Sequence, residues 1–152
     1  MIALLADIDA VLRGEKTAHV ITSIPYATFL GLRICKDVDG ALAVEMPYKE
    51  ALIGSPRPPR IHGGTIGALL EFAGTIAVAR AARDDTDQAL GTLPKPIGIT
   101  IEYMRGGAPE DIMASAQVLR LGRRIANVRA TAWQERKDKP NATATMHFLM
   151  PG

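Results

Sequence analysis

Short segments of alternating apolar residues, one long and nearly unbroken apolar stretch among them, and strong turn signals at the junctions predict an α+β domain in which an antiparallel sheet packs on one long helix. The 152-residue chain is 47% apolar, enough for a single compact core. No internal repeat or linker divides it. Residues 1–152 therefore read as one domain, with residues 1–14 forming a helix that packs on it.

Leu4, Leu5, Ile8, Val11 and Leu12 follow the spacing of an amphipathic helix that Gly14 ends. The segment from Pro25 to Gly31 is a turn or short helical piece leading into a strand. Leu32, Ile34 and Val38 alternate with polar residues, Asp39-Gly40 marks a hairpin, and Leu42, Val44 and Met46 alternate again. The stretch from Gly54 to Arg60 carries three prolines and is expected to be a rigid loop. From Gly63 to about Arg83 the chain is small, apolar and free of proline, which predicts a buried helix. Gly67 and Gly74 would weaken that helix by about 1 kcal/mol each relative to alanine, so a close approach by another surface is expected there. Four more strands follow, carried by Ile97 to Tyr103, Ile112 to Val118, Ala126 to Ala132 and Ala142 to Phe148. The expected sheet has about six strands.

A net charge of +2 and 5% aromatic residues argue against a nucleic-acid partner, which would need a basic surface and stacking rings. Glu71, Arg80 and Arg83 interrupt the apolar stretch and argue against a membrane span. Asp7 and Asp9 break the apolar N-terminus, where no basic segment precedes it, so no export signal is expected. The single cysteine, Cys35, allows no internal disulfide and fits a reducing compartment; a cytoplasmic location is expected. No metal site is implied. Asp84, Asp85 and Asp87 lack the glycine and distal glutamate of a calcium loop, while His19 and His147 stand apart. No serine nucleophile elbow is present.

Glu71 is the only ionisable residue between Gly63 and Ala79. Its helical neighbours are Gly67, Ala68, Gly74 and Thr75, so no local cation pairs with it. A carboxylate on a buried helix has a raised pKa suited to acid, base or nucleophilic work, unless a distant Arg105 or Arg129 neutralises it. His62-Gly63-Gly64 precedes the helix, where glycines let a ligand approach unpaired backbone N–H groups. Such a terminus stabilises an oxyanion, which makes carbonyl-addition chemistry plausible.

Ile61-His62-Gly63-Gly64 with Glu71 nine positions after the histidine resembles the signature of hotdog-fold thioesterases of the phenylacetate-degradation (PaaI) type. Pro25-Tyr26 through Leu30-Gly31 resembles the family's entry to its first strand, and Leu119 through Arg124 resembles its late hairpin. The resemblance spans about Pro25 to Phe148. It implies a hotdog fold, acyl-CoA as substrate, no cofactor beyond the CoA carried by that substrate, and a homodimer or homotetramer with sites between chains. It further implies that the Gly63 N–H polarises the thioester carbonyl, with His62 and Gly64 beside it. Glu71 from the partner chain then attacks the carbonyl or activates water. Thr75 either positions that water, as in some family members, or bonds back to the Glu71 carbonyl.

The family's Asn or Gln six residues before the motif histidine is replaced by Pro56, with Ser55 adjacent. Proline offers no side-chain hydrogen bond, which implies slower turnover, altered substrate choice or binding without turnover. Gly122, Arg123 and Arg124 would hold CoA phosphates or form a solvated turn, and Arg105 and Lys95 are further candidates. Two other functions compete: a non-catalytic acyl-CoA sensor, and a hotdog hydroxyacyl-thioester dehydratase, whose usual histidine loop is absent. Acyl specificity is not legible in the sequence.

Overall fold

The computed structural model describes residues 2–86 and 92–151. Asp87, of the aspartates that lack a calcium-loop pattern, lies outside the described residues. Helix α1 (Ile2–Leu12) leads through strand β1 (Ala18–Val20) and helix α2 (Pro25–Leu30) to β2 (Arg33–Lys36) and β3 (Leu42–Met46). A 3-10 turn, Glu50–Leu52, then precedes β4 (Ile53–Pro56), β5 (Pro59–Ile61) and the long helix α3 (Gly63–Thr86). Strands β6 (Lys95–Tyr103), β7 (Ile112–Leu121), β8 (Ile125–Trp133) and β9 (Ala142–Leu149) complete the chain. Seven strands form one antiparallel sheet in the order β1-β2-β3-β7-β8-β9-β6. The sheet wraps α3, giving the expected α+β architecture.

The core follows the period-two pattern. Ala126, Val128, Ala130 and Ala132 on β8 and Ala142, Ala144, Met146 and Phe148 on β9 are all buried, facing Ile66, Leu69, Leu70 and Ile76 on α3. Small alanines over the middle of the sheet let the helix lie close to it. The expected close approach at the helix glycines is intramolecular: a Cβ on Gly67 would lie 2.9 Å from Ile101 Cδ1, and one on Gly74 would lie 2.5 Å from Met146 Cε and 3.0 Å from the Phe148 ring. Close approach by a second chain is therefore not what these glycines serve. The sheet's own side chains fill the space.

Local chemistry explains the element ends. Pro25 starts α2 and Gly31, at φ 74°, ends it, with its N–H and that of Leu32 donating back to Thr28 and Ala27. In the β2–β3 turn, Asp37 Oδ1 accepts the N–H groups of Asp39 and Ala41, both at 2.9 Å, while Lys137 donates to Oδ2 at 2.7 Å. Burial would raise the Asp37 pKa, but these donors offset it and hold the carboxyl below its usual value. Asp9 on α1 pairs with Arg80 and Arg83, fastening α1 to α3.

Three details differ from the sequence reading. Strand β1, too short to show a period, pairs with β2. Val38 sits in the turn and is 90% exposed rather than part of a strand. The proline-rich stretch is not an irregular loop but an antiparallel ribbon, β4–β5, with Ser55 opposite Arg60 and Pro56 opposite Pro59. Prolines are tolerated because a two-stranded ribbon has only edges.

Gly74→Val should lower stability by about 2 kcal/mol despite its gain in helix propensity, because its side chain would overpack the fully buried Met146 and Phe148. Urea unfolding followed by circular dichroism checks this.

Candidate active site

The N-terminus of α3 is built around one residue, His62. Its N–H donates to the Leu52 carbonyl at 2.8 Å, and its Nδ1 accepts the Gly64 N–H at 2.8 Å. Its carbonyl accepts the N–H groups of Thr65 at 3.0 Å and Ile66 at 3.4 Å. Because Nδ1 accepts, the neutral ring carries its proton on Nε2. The N–H groups of residues 64, 65 and 66 are thus occupied, while among the described residues none accepts the N–H of Gly63. One first-turn donor is left for a ligand.

Gly63 opens on a cavity of about 300 Å³ lined also by Ile61, Ile66, Tyr103 and Arg105. Here the structure brings together two residues singled out in the sequence, Gly63 and Arg105. Tyr103 was legible only as one apolar position of an alternating strand. Its hydroxyl donates to the Gly63 carbonyl at 2.8 Å, and its ring would lie 3.2 Å from any Cβ at Gly63. A side chain at 63 would crowd that ring. Residues 104–107 also line the cavity, and the loop they belong to is braced by Gln134, which exchanges two hydrogen bonds with Ala108, and by Asn141, which donates to the Gly106 carbonyl. Neither residue carries a local signal in sequence, since each acts on a loop 26 to 35 positions away.

Glu71 is half-buried on α3, and burial alone pushes its pKa up. Neither Arg105 nor Arg129 pairs with it, so the carboxylate has no compensating charge from the described residues. Eight helical residues separate it from Gly63, a rise of about 12 Å. The two groups of one chain therefore do not converge on one carbonyl. Thr75 is buried and donates its hydroxyl to the Glu71 carbonyl at 2.9 Å. That bond occupies its proton and leaves only its lone pairs.

Ser55 and Pro56 lie exposed on β4, whose neighbouring Gly54 abuts the His62 side chain: a Cβ there would stand 2.7 Å from His62 Cα. The ribbon thus supports the motif from behind. Gly64 is exposed. Gly122, Arg123 and Arg124 border a separate cavity of about 590 Å³ that also takes in Arg120, Asn127 and His147. Asn127 and His147 are cross-strand neighbours, with His147 Nδ1 2.9 Å from Asn127 Oδ1. Their outward parity was visible in the sequence, but their pairing needed the register. Lys95 is exposed at the start of β6. Cys35 is buried, and its thiol is pushed up to about 11 first by burial and then by Glu45, so it stays an inert core thiol.

A desolvated Glu71 binds its proton more tightly folded than unfolded, so its contribution to stability is fully present below the unfolded pKa and lost as pH rises through the raised folded one. Glu71→Gln should accordingly raise Tm at pH 7 and lose that advantage near pH 4. Thermal melts of both proteins at the two pH values check the sign.

A family model described as the thioesterase superfamily matches residues 59–140, the part of the chain that holds α3 and its motif. Among solved structures, a Chromobacterium violaceum protein is 27% identical over 95% of this chain and 96% of its own, with a TM-score of 0.67. A Ralstonia eutropha protein related to phenylacetic acid degradation is 22% identical over 95% and 99%, with a TM-score of 0.68. A Bacillus halodurans protein solved with CoA is 17% identical over 99% and 92%, with a TM-score of 0.66. No curated protein matches in sequence. The wrapped helix, the open N–H at its start and the family match together establish that this chain belongs to the thioesterase superfamily, in its hotdog fold.

Proposed function

We propose that the protein hydrolyses acyl-CoA thioesters to a free acid and CoA. The observation that carries this reading is the Gly63 N–H at the head of α3, which none of the described residues accepts, on a residue that lines a cavity. As a nucleophile adds to the thioester carbon, negative charge builds on the carbonyl oxygen, and a fixed N–H at a helix N-terminus stabilises it. The group that attacks the carbonyl carbon or activates water for that attack is Glu71. Since Glu71 stands about 12 Å from Gly63 along its own helix, the pair that acts together comes from two copies, Gly63 of one subunit and Glu71 of its partner.

Pairing of copies is supported by β6. It is an edge strand whose Ile97, Ile99 and Tyr103 are exposed, and a long apolar edge calls for cover. We take the assembly to be at least a homodimer; a homotetramer would repeat the same site. Two chemical routes fit a deprotonated Glu71. In one, its oxygen attacks the carbonyl carbon, the C–S bond breaks with thiolate leaving, and water then cleaves the anhydride. In the other, Glu71 takes a proton from water as the hydroxide adds, and the proton passes to the departing sulfur. Thr75, whose hydroxyl proton is held by the Glu71 carbonyl, would accept from such a water rather than donate to it.

Arg123 and Arg124, at the mouth of the larger cavity with Arg120, supply guanidinium donors for the phosphates of CoA. The CoA in the Bacillus halodurans neighbour supports that ligand class. Arg105 lines the Gly63 cavity and is placed to meet the acyl or pantetheine part. A second reading, acyl-CoA binding without turnover, is favoured by Pro56, which offers no hydrogen bond where an amide would orient substrate or water.

Release of free CoA from a panel of aromatic, short and medium acyl-CoAs should be measurable for the wild type and fall roughly 10²–10⁴-fold in Glu71→Ala. Binding of the panel without any release would favour the binding reading, and unchanged release by the mutant would remove Glu71 from the mechanism. Ile99→Lys on the exposed edge should dissociate the dimer in sedimentation velocity and lose CoA release together with it.

A further inference from the structure

The peptide that joins His62 to Gly63 is held by three donors on its carbonyl. Its carbonyl accepts the Thr65 N–H at 3.0 Å, the Ile66 N–H at 3.4 Å and, most closely, the Thr65 hydroxyl at 2.7 Å. The N–H of this same peptide is the one on Gly63 that no described residue accepts. The next peptide is pinned as well, by the Tyr103 hydroxyl on the Gly63 carbonyl at 2.8 Å. A carbonyl that accepts hydrogen bonds draws electron density toward its oxygen, which makes the N–H of the same amide a stronger donor and fixes its plane.

We infer that Thr65 is a positioning residue for the proposed hydrolysis: its hydroxyl, on the His62 carbonyl, orients and polarises the Gly63 N–H that meets the developing oxyanion. The inference rests on the thioesterase reading. Thr65 itself touches no reacting atom. Its effect travels through one peptide unit, so it should grow with the charge on the substrate oxygen and therefore act on kcat rather than on KM. A threonine serving only to satisfy its own hydroxyl within the helix would affect stability and leave the split between kcat and KM untouched.

The test compares Thr65→Val, which keeps the branched shape and removes the hydroxyl, with Thr65→Ser, which keeps the hydroxyl. Thr65→Val should lower kcat about tenfold with little change in KM, and Thr65→Ser should restore most of it. Independently of activity, the Gly63 amide resonance in 1H–15N spectra of the ligand-free protein should move in Thr65→Val and return in Thr65→Ser. An unchanged kcat in Thr65→Val, an equal loss in Thr65→Ser, or a Gly63 resonance indifferent to the hydroxyl would each overturn the inference. If the wild type releases no CoA, the reaction reading fails, while the resonance shift alone still decides whether Thr65 polarises this amide.

Discussion

Everything in this molecule depends on the burial of one helix. α3 is apolar around most of its circumference, and it is stable only because the sheet wraps it and α1 is fastened across it by the Asp9 pairs with Arg80 and Arg83. Small residues set the distance at which that wrapping happens. Gly67 and Gly74 receive Ile101, Met146 and Phe148, and the alanine rows of β8 and β9 keep the sheet close. Among the described residues the same helix is the one with the length and apolarity of a membrane span, and most of it is buried against the rest of the protein.

A buried helix also concentrates electrostatics at two places. At its start, N–H groups without helical partners point out along the axis, and among the described residues the side chain and carbonyl of His62 accept those of Gly64, Thr65 and Ile66 but nothing accepts that of Gly63. Midway along, it carries a carboxylate that the surroundings desolvate and do not neutralise. Both features oppose stability slightly, since an unsatisfied donor and an unpaired charge are each costly out of water. Functional sites are where such costs are expected to persist. The donor and the charge lie too far apart on one helix to act on one carbonyl, which is why the proposed reaction draws them from two copies.

The polar groups that shape the site cavity come from distant parts of the chain. Tyr103 reaches from the edge strand to Gly63, Gln134 and Asn141 brace the loop that holds Gly106 and Ala108, and the β4–β5 ribbon presses Gly54 on His62. Tyr103, Gln134 and Asn141 each act on residues more than 20 positions away, whereas the ribbon is joined directly to His62. They form the surround that holds the motif, and they follow from sheet order rather than from local preference.

Periodicity with turn signals placed the β2–β3 hairpin and the last four strands, and length, apolarity and freedom from proline placed the long helix. The sequence also singled out Glu71 as a charge without a local partner and His62-Gly63-Gly64 as an open helix start. Other features were decided only by the tertiary structure. Strand β1 and the β4–β5 ribbon are short or proline-rich segments whose conformation is imposed by their neighbours. Which surface fills the helix glycines, which N–H of the first turn stays free, and that neither Arg105 nor Arg129 reaches Glu71 are settled by register and by contacts far apart in the chain. Local sequence fixes which face of each element is apolar; only packing fixes what that face meets.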